Sequence, residues 1–189
     1  VLSVIYTVEC SYSDPATEGE WNDFYSLHKL PALISVRGFH TSQRFRACGA
    51  GCPTYLALHS IDGLEILQGE EYARKGGGNF ARWQQHITDW HRNLYRGLDR
   101  APAVEQGNYL LVSRVGPEPL IAMGTVPEGL HAVALDHAPA AIWLARLPPG
   151  SSPVVELLPG GVHAYTPMTA QLKSVAVEGQ QGSEQRSHA

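Results

Sequence analysis

The sequence has little charge, few cysteines and no long apolar run, and each shortage excludes something. Charged residues make up 17% of its 189 positions, and the net charge is −4 with histidine neutral. No run of basic residues occurs, which argues against nucleic acid as the main partner. No apolar segment reaches the ~18 residues that a membrane-crossing helix needs, so no membrane is expected as a partner. The apolar opening VLSVIYTVEC lacks a basic stretch and a small-residue cleavage pattern, so it reads as a strand rather than a signal peptide. Three cysteines, an odd number, point to free thiols in a reducing compartment, and the expected location is cytoplasmic. Cys48 and Cys52 stand in CGAGC, which is not the CxxC spacing of redox or zinc sites; two reduced thiols are expected, and a loop disulfide after oxidation stays open. No G-x-S-x-G and no dinucleotide fingerprint is present, and the glycine run at 76–78 lacks the Lys-Ser/Thr of a phosphate loop.

What is present organises around residues 17–46. Thr17 and Glu20 have the spacing of a capping box. Trp21, Phe24, Tyr25 and His28 then fall on one face of a helix, widened by Leu27 and Leu30. Pro31 kinks or ends that helix, and Arg37-Gly38 marks a reversal. Phe39, Thr41, Gln43 and Phe45 alternate with His40, Ser42, Arg44 and Arg46, which is strand periodicity. A strand at 1–10 precedes this unit. After it, the glycine-rich link at 48–52 predicts a hairpin to a strand at 54–61. A short helix, weakened at Gly69, is expected over 63–75. Phe80, Trp83, Ile87, Trp90 and Leu94 recur at spacings of three and four, which predicts a third helix over 79–95. Further strands are expected at 109–115, 130–136, 140–147, 154–158 and 162–168, with a helical turn at 119–123. Residues 176–189 are small and polar and read as a loose tail.

The order β-α-β-β-α within 1–100 is that of an α+β, ferredoxin-like antiparallel sheet with helices on one face. Residues 101–175 read as a β-rich second half, open between a degenerate repeat and an extension. They carry no second helix of the length a full repeat requires. The uncovered sheet face must be hidden, either by a second subunit or by this second half.

The stretches EWNDFYSLHKLPALISVRGFHTSQRFRA, PTYLALHSIDGLEIL and ARWQQHITDWHRNLYR, in that order, resemble the dimeric α/β-barrel superfamily and within it small bacterial EthD-like proteins. The resemblance covers about residues 1–98. It implies a homodimer and a small organic ligand, and a superfamily of monooxygenases, cyclases, dehydratases and haem-binding enzymes leaves the reaction open.

His28, at the end of the helix face, is placed for general acid–base work, or else for bonding the last helix carbonyls. Arg44 is the candidate for holding a carboxylate or oxyanion, with His40 beside it on the strand. Tyr25, Tyr55 and Trp83 complete a candidate substrate pocket, although Trp83 and Trp90 read more readily as core than as cofactor contacts. His131, His137 and His163 match no metal spacing, and no metal or other cofactor is required by the sequence. The leading expectation is cofactor-free acid–base chemistry, as a lyase, dehydratase or isomerase, on an aromatic, anionic or polyketide-like molecule. A non-catalytic binding protein and a metal- or haem-dependent oxidation are the alternatives.

Overall fold

Alternation in β1 (Val4–Tyr12) sends Val4, Tyr6, Val8 and Cys10 to one side and Ile5, Thr7 and Glu9 to the other, and both sides are buried. A strand buried on both faces needs a layer on each. The structure is a computed structural model that describes residues 3–76 and 79–175, so the expected loose tail lies outside the described residues. After β1 come α1 (Glu18–Phe24), α2 (Leu30–Ile34), β2 (Phe39–Ala47), β3 (Tyr55–Ile61), α3 (Leu64–Gln68), α4 (Glu70–Lys75) and β4 (Ile87–Arg96). Then follow β5 (Leu110–Ser113), α5 (Glu118–Ala122), β6 (Glu128–Leu135), β7 (Ala141–Arg146), β8 (Val162–Pro167) and β9 (Leu172–Lys173).

The strands form one sheet in the order β3-β1-β4-β6-β7-β5-β8-β2-β9, and β3 also pairs with β2. That last pairing closes eight antiparallel strands into a barrel, with β9 as an outer addition to β2. The expected sheet with helices on one face is closed into a ring, and of the two covers expected for its other face the second half of the chain is the one present. Helices α1 to α4 do cover the outer side of the first four strands, where Trp21, Tyr25, Leu30, Leu33 and Tyr72 pack on Val4, Tyr6 and Val8. The inner side faces a lumen instead. Ile5, Leu56 and Leu58 meet Leu110, Val112, Leu130, Ile142 and Leu144 across it. The apolar inner faces of both halves are thus buried against each other within one chain. Around the ring, β2-β3-β1-β4 lie side by side, and β6-β7-β5-β8 repeat that order of second, third, first and fourth strand.

Three local expectations fail for identifiable reasons. The third helix is a 3-10 turn at Ala81–His86 followed by β4. Phe80, Trp83, Ile87, Trp90 and Leu94 do share one side, packing on the helix layer. An irregularity opposite Glu9–Ser11, with Asp89 at φ +50°, inserts a residue into β4 and imitates helical spacing. The capping box does not form: Thr17 donates to Asp14 Oδ2 at 2.7 Å, while Glu20 pairs with Arg82. The 154–158 strand is a 3-10 turn, Val155–Leu157, because Pro153 and Pro159 bracket it and neither can donate to a ladder.

Pro31 acts on the preceding turn. Tyr25–Lys29 is a π-turn, with the Leu30 N–H bonded to Tyr25 O, which accommodates a ring that has no N–H to give. The extra residue turns Lys29 inward. It is 5% exposed, its Nζ donates to Gly76 O and Asn79 O, and burial pushes its pKa down to about 8.

Two tests bear on this architecture. Gly97 ends β4 at φ +137°, where an added Cβ would lie 2.2 Å from Gly129 O. Gly97→Ala is expected to cost about 3 kcal/mol in urea unfolding, and a cost near zero would contradict the β4–β6 junction. His59 is fully buried, bonds Ser42 Oγ through Nδ1 at 2.7 Å and leaves Nε2 without a partner. Burial pushes its pKa down to about 3 from 6.5. Between those values the unfolded chain takes a proton that the folded one refuses, so stability falls as pH drops through this window, by up to about 1.4 kcal/mol per pH unit. His59→Leu should flatten that slope, and an unchanged slope would mean that His59 is not the group responsible.

Candidate active site

The residues singled out by sequence separate into different places. Tyr25, Arg44 and Tyr55 do meet, in the layer between helices and sheet. Arg44 is 1% exposed, its guanidinium 4.0 Å from the Tyr25 ring centre. Nη1 donates to Asn22 O at 3.2 Å and to Ser26 Oγ at 2.8 Å, and Nη2 donates to Asn22 Oδ1 at 2.8 Å. Burial lowers its pKa. Tyr55 donates to Glu18 and accepts from Asn22. The rings of Trp21, Tyr25, Tyr55 and Phe80 fill the space around it. The terminal nitrogens of Arg44 are committed to tying α1 and the π-turn to β2.

The other candidates lie apart from it. His28 is exposed, because the π-turn gives its inward place to Lys29. A bulge between Phe39 and Thr41 breaks the alternation of β2, and His40 bonds Asp62 Oδ1 at 2.6 Å. Trp83 is half-buried beside Phe24, ring centres 4.7 Å apart. His131 and His137 are exposed, and among the described residues no three His, Cys, Asp or Glu side chains gather as metal ligands.

A second polar group stands in the lumen. Positions 5, 7 and 9 of β1 face inward, and so do 110 and 112 of β5 and Arg114 beyond it. Glu9 and Arg114 therefore meet at one end of the barrel, where Arg114 Nη2 donates to Glu9 Oε1. The Glu9 side chain is 9% exposed and that of Arg114 26%. Among the described residues, Arg114 Nε and the hydroxyl of the fully buried Tyr165 make no hydrogen bond of ordinary geometry, and the near neighbours of that hydroxyl are the Cys52 thiol and Arg114. Burial pushes the Tyr165 pKa well up, with the Cys52 thiol beside it adding to the rise, so the phenol stays neutral. Burial opposes the charge of Arg114, but Glu9 and Tyr165 outweigh it and its pKa is raised. Thr7 and Tyr95 share this chamber with Leu56, Leu58, Val112, Ile142 and Leu144. Its cavity is about 10 Å³, room for one water molecule. An apolar enclosure with a few convergent polar groups is the usual form of a small-molecule site.

Arg114 also lines an open groove of about 500 Å³ at the barrel mouth, shared with Cys52, His163 and the glycines of 49–51 and 160–161. Cys48 packs outside the barrel wall with Leu111 and Ala164, whereas Cys52 packs inside with Phe45 and Tyr165. Both thiols are free. Burial, followed by Arg114, lowers the pKa of His163.

Sequence reading passed over Glu9 and Arg114, which are separated by 105 positions and joined only by barrel closure. The available signal was a carboxylate inside the apolar alternation of β1 and a guanidinium ending the run NYLLVSR.

No protein-family model and no curated protein matches the chain. Solved structures do. An anthrone oxidase-like protein superposes with a TM-score of 0.54 at 12% identity, covering 92% of this chain and 94% of its own. A Fusobacterium nucleatum subsp. nucleatum protein named "putative monooxygenase" superposes with a TM-score of 0.55 at 8% identity, covering 93% and 97%. Among the described residues no helix is long and apolar enough to cross a membrane. The chain shares the overall fold of these neighbours, which here is a closed eight-stranded antiparallel barrel with helices on its outer side.

Proposed function

We propose that the barrel lumen is an acid–base site for a small, largely apolar molecule that carries one carbonyl or phenolic oxygen. One observation carries this reading: a carboxylate, a guanidinium and a buried neutral phenol converge in an apolar chamber. Glu9 takes a proton from carbon next to the carbonyl, or conjugated with it. Tyr165 donates to the oxygen on which the charge then settles, and Arg114 holds the carboxylate in place. The chamber as it stands has room for one water, and Arg114, which lines both chamber and groove, marks the way in, so a ligand enters by displacing its partly exposed side chain.

The resulting enolate is the common first intermediate of isomerisation, of elimination and of direct reaction with dioxygen as a co-substrate. The neighbours' names, an anthrone oxidase-like protein and a monooxygenase, favour the last. These residues need no further cofactor for the proton step. The shared strand order supports reading 1–100 and 101–175 as two ferredoxin-like units, the second with its helices reduced to α5 and a 3-10 turn. The EthD-like likeness of the first unit rests on its sequence motifs.

The experiment is hydrogen–deuterium exchange at the methylene carbons of anthrone and of the smaller 2-indanone, in D2O under nitrogen, followed by NMR. The protein should accelerate exchange above buffer for at least one of them. No acceleration for either would overturn the reading. The tightness of the chamber favours a second reading, a non-catalytic barrel whose Glu9–Arg114 pair is structural, and that reading takes the negative result.

A further inference from the structure

The groove at the barrel mouth has a charge character unlike the rest of the protein. The chain carries 18 acidic residues against 14 basic ones, yet among the described residues no aspartate or glutamate lines this groove. Its charged side chain is Arg114, and His163 stands beside it. Much of the remaining wall is glycine, from the 49–51 loop and from 160–161. A Cβ added at Gly160 would meet nothing within 4 Å, so the wall is open to a ligand there. Arg114 turns one nitrogen inward to Glu9, while its side chain, 26% exposed, lines the groove. A partly exposed guanidinium, in a concave wall whose described lining holds no carboxylate, selects an anionic oxygen.

We infer that the mouth groove binds a carboxylate on the ligand, held by Arg114, while the ligand's apolar body points into the lumen. This rests on the lumen reading and names its substrate class: an aromatic or alicyclic acid whose carbonyl or phenolic oxygen lies in the lumen, the neutral ketones serving there as probes of the proton step alone. His163 adds little charge near neutral pH, because Arg114 and burial both disfavour its protonated form. The groups facing Arg114 are then Glu9, Tyr165, Cys52 and His163, and of these Glu9 is the one that a ligand carboxylate must tolerate. Removing that charge frees the guanidinium for the ligand.

The test compares 2-naphthoate with 2-naphthamide, equal in shape and different in charge, by isothermal titration at pH 7. The native protein is expected to bind naphthoate about tenfold more tightly than the amide, a preference that salt reduces. Glu9→Gln should keep or widen the preference. E9Q/R114M, which removes both charges so that neither is left buried alone, should abolish it. Equal affinities in the native protein, binding of neither probe, or a preference that survives in E9Q/R114M would overturn the inference. Should the double variant fail to fold, amide shifts of Gly49, Gly51 and Gly160 in the native protein decide the matter: naphthoate must move them and naphthamide must not. The lumen reading is judged separately. If the naphthoate preference is absent while proton exchange still depends on Glu9, the carboxylate groove falls and the lumen chemistry stands. If the preference is present and exchange is not, the reverse holds.

Discussion

Glu9→Gln is expected to lower proton exchange on the ketone probe by about 100- to 10,000-fold, with a smaller loss of stability than Arg114→Met, because the Arg114 side chain it leaves without a carboxylate is 26% exposed. The amide is isosteric with the carboxylate and can still accept from Arg114 through its oxygen, so the geometry of the pair survives while the base is lost. That separation matters, because Glu9 is buried and a larger change would confound catalysis with folding. His28→Ala, at an exposed position, should leave exchange unchanged. If instead His28→Ala abolishes exchange and Glu9→Gln does not, the chemistry belongs to the helical layer, where the sequence alone had placed it.

The second large effect is on stability. Arg114→Met should destabilise the protein by about 3–5 kcal/mol, because it strands the Glu9 carboxylate in an apolar lumen without its partner. E9Q/R114M should recover most of that loss, since the desolvation cost of both charges disappears with them. The comparison is made by denaturant unfolding of the two single variants and the double. Additive losses would show that the two side chains do not depend on each other, and a cost for Arg114→Met below about 1 kcal/mol would mean that water reaches Glu9 freely.

Much of the first half was legible because its signals are local. The β1 alternation, the Trp21–Tyr25 helix face, the Gly38 reversal and the Tyr55–Ile61 strand each sit within a few residues of their cause. Two local irregularities defeated the same kind of reading. The π-turn before Pro31 rotates the helix face by one residue and exchanges His28 for Lys29. The extra residue near Asp89 makes strand β4 count like a helix. Barrel closure was not legible for a different reason. It depends on β4 meeting β6 and on β8 meeting β2, pairings between segments that carry no mark of each other. The site at Glu9 and Arg114 inherits that opacity, because it exists only once the ring is closed. Arg44, by contrast, looked like a ligand-binding arginine and is spent on Asn22 and Ser26, which its position in an alternating strand could not disclose.

The central claim is that the ligand occupies the lumen and not the layer between helices and sheet. Tyrosine labelled with carbon-13 at Cζ reads both places at once, because Tyr165 lines the lumen while Tyr25 and Tyr55 lie beside Arg44. With all eight tyrosine resonances assigned by substitution, a titration with 2-naphthoate should shift Tyr165 progressively and leave Tyr25 and Tyr55 in place. Movement of Tyr25 and Tyr55 with a stationary Tyr165 would contradict the account.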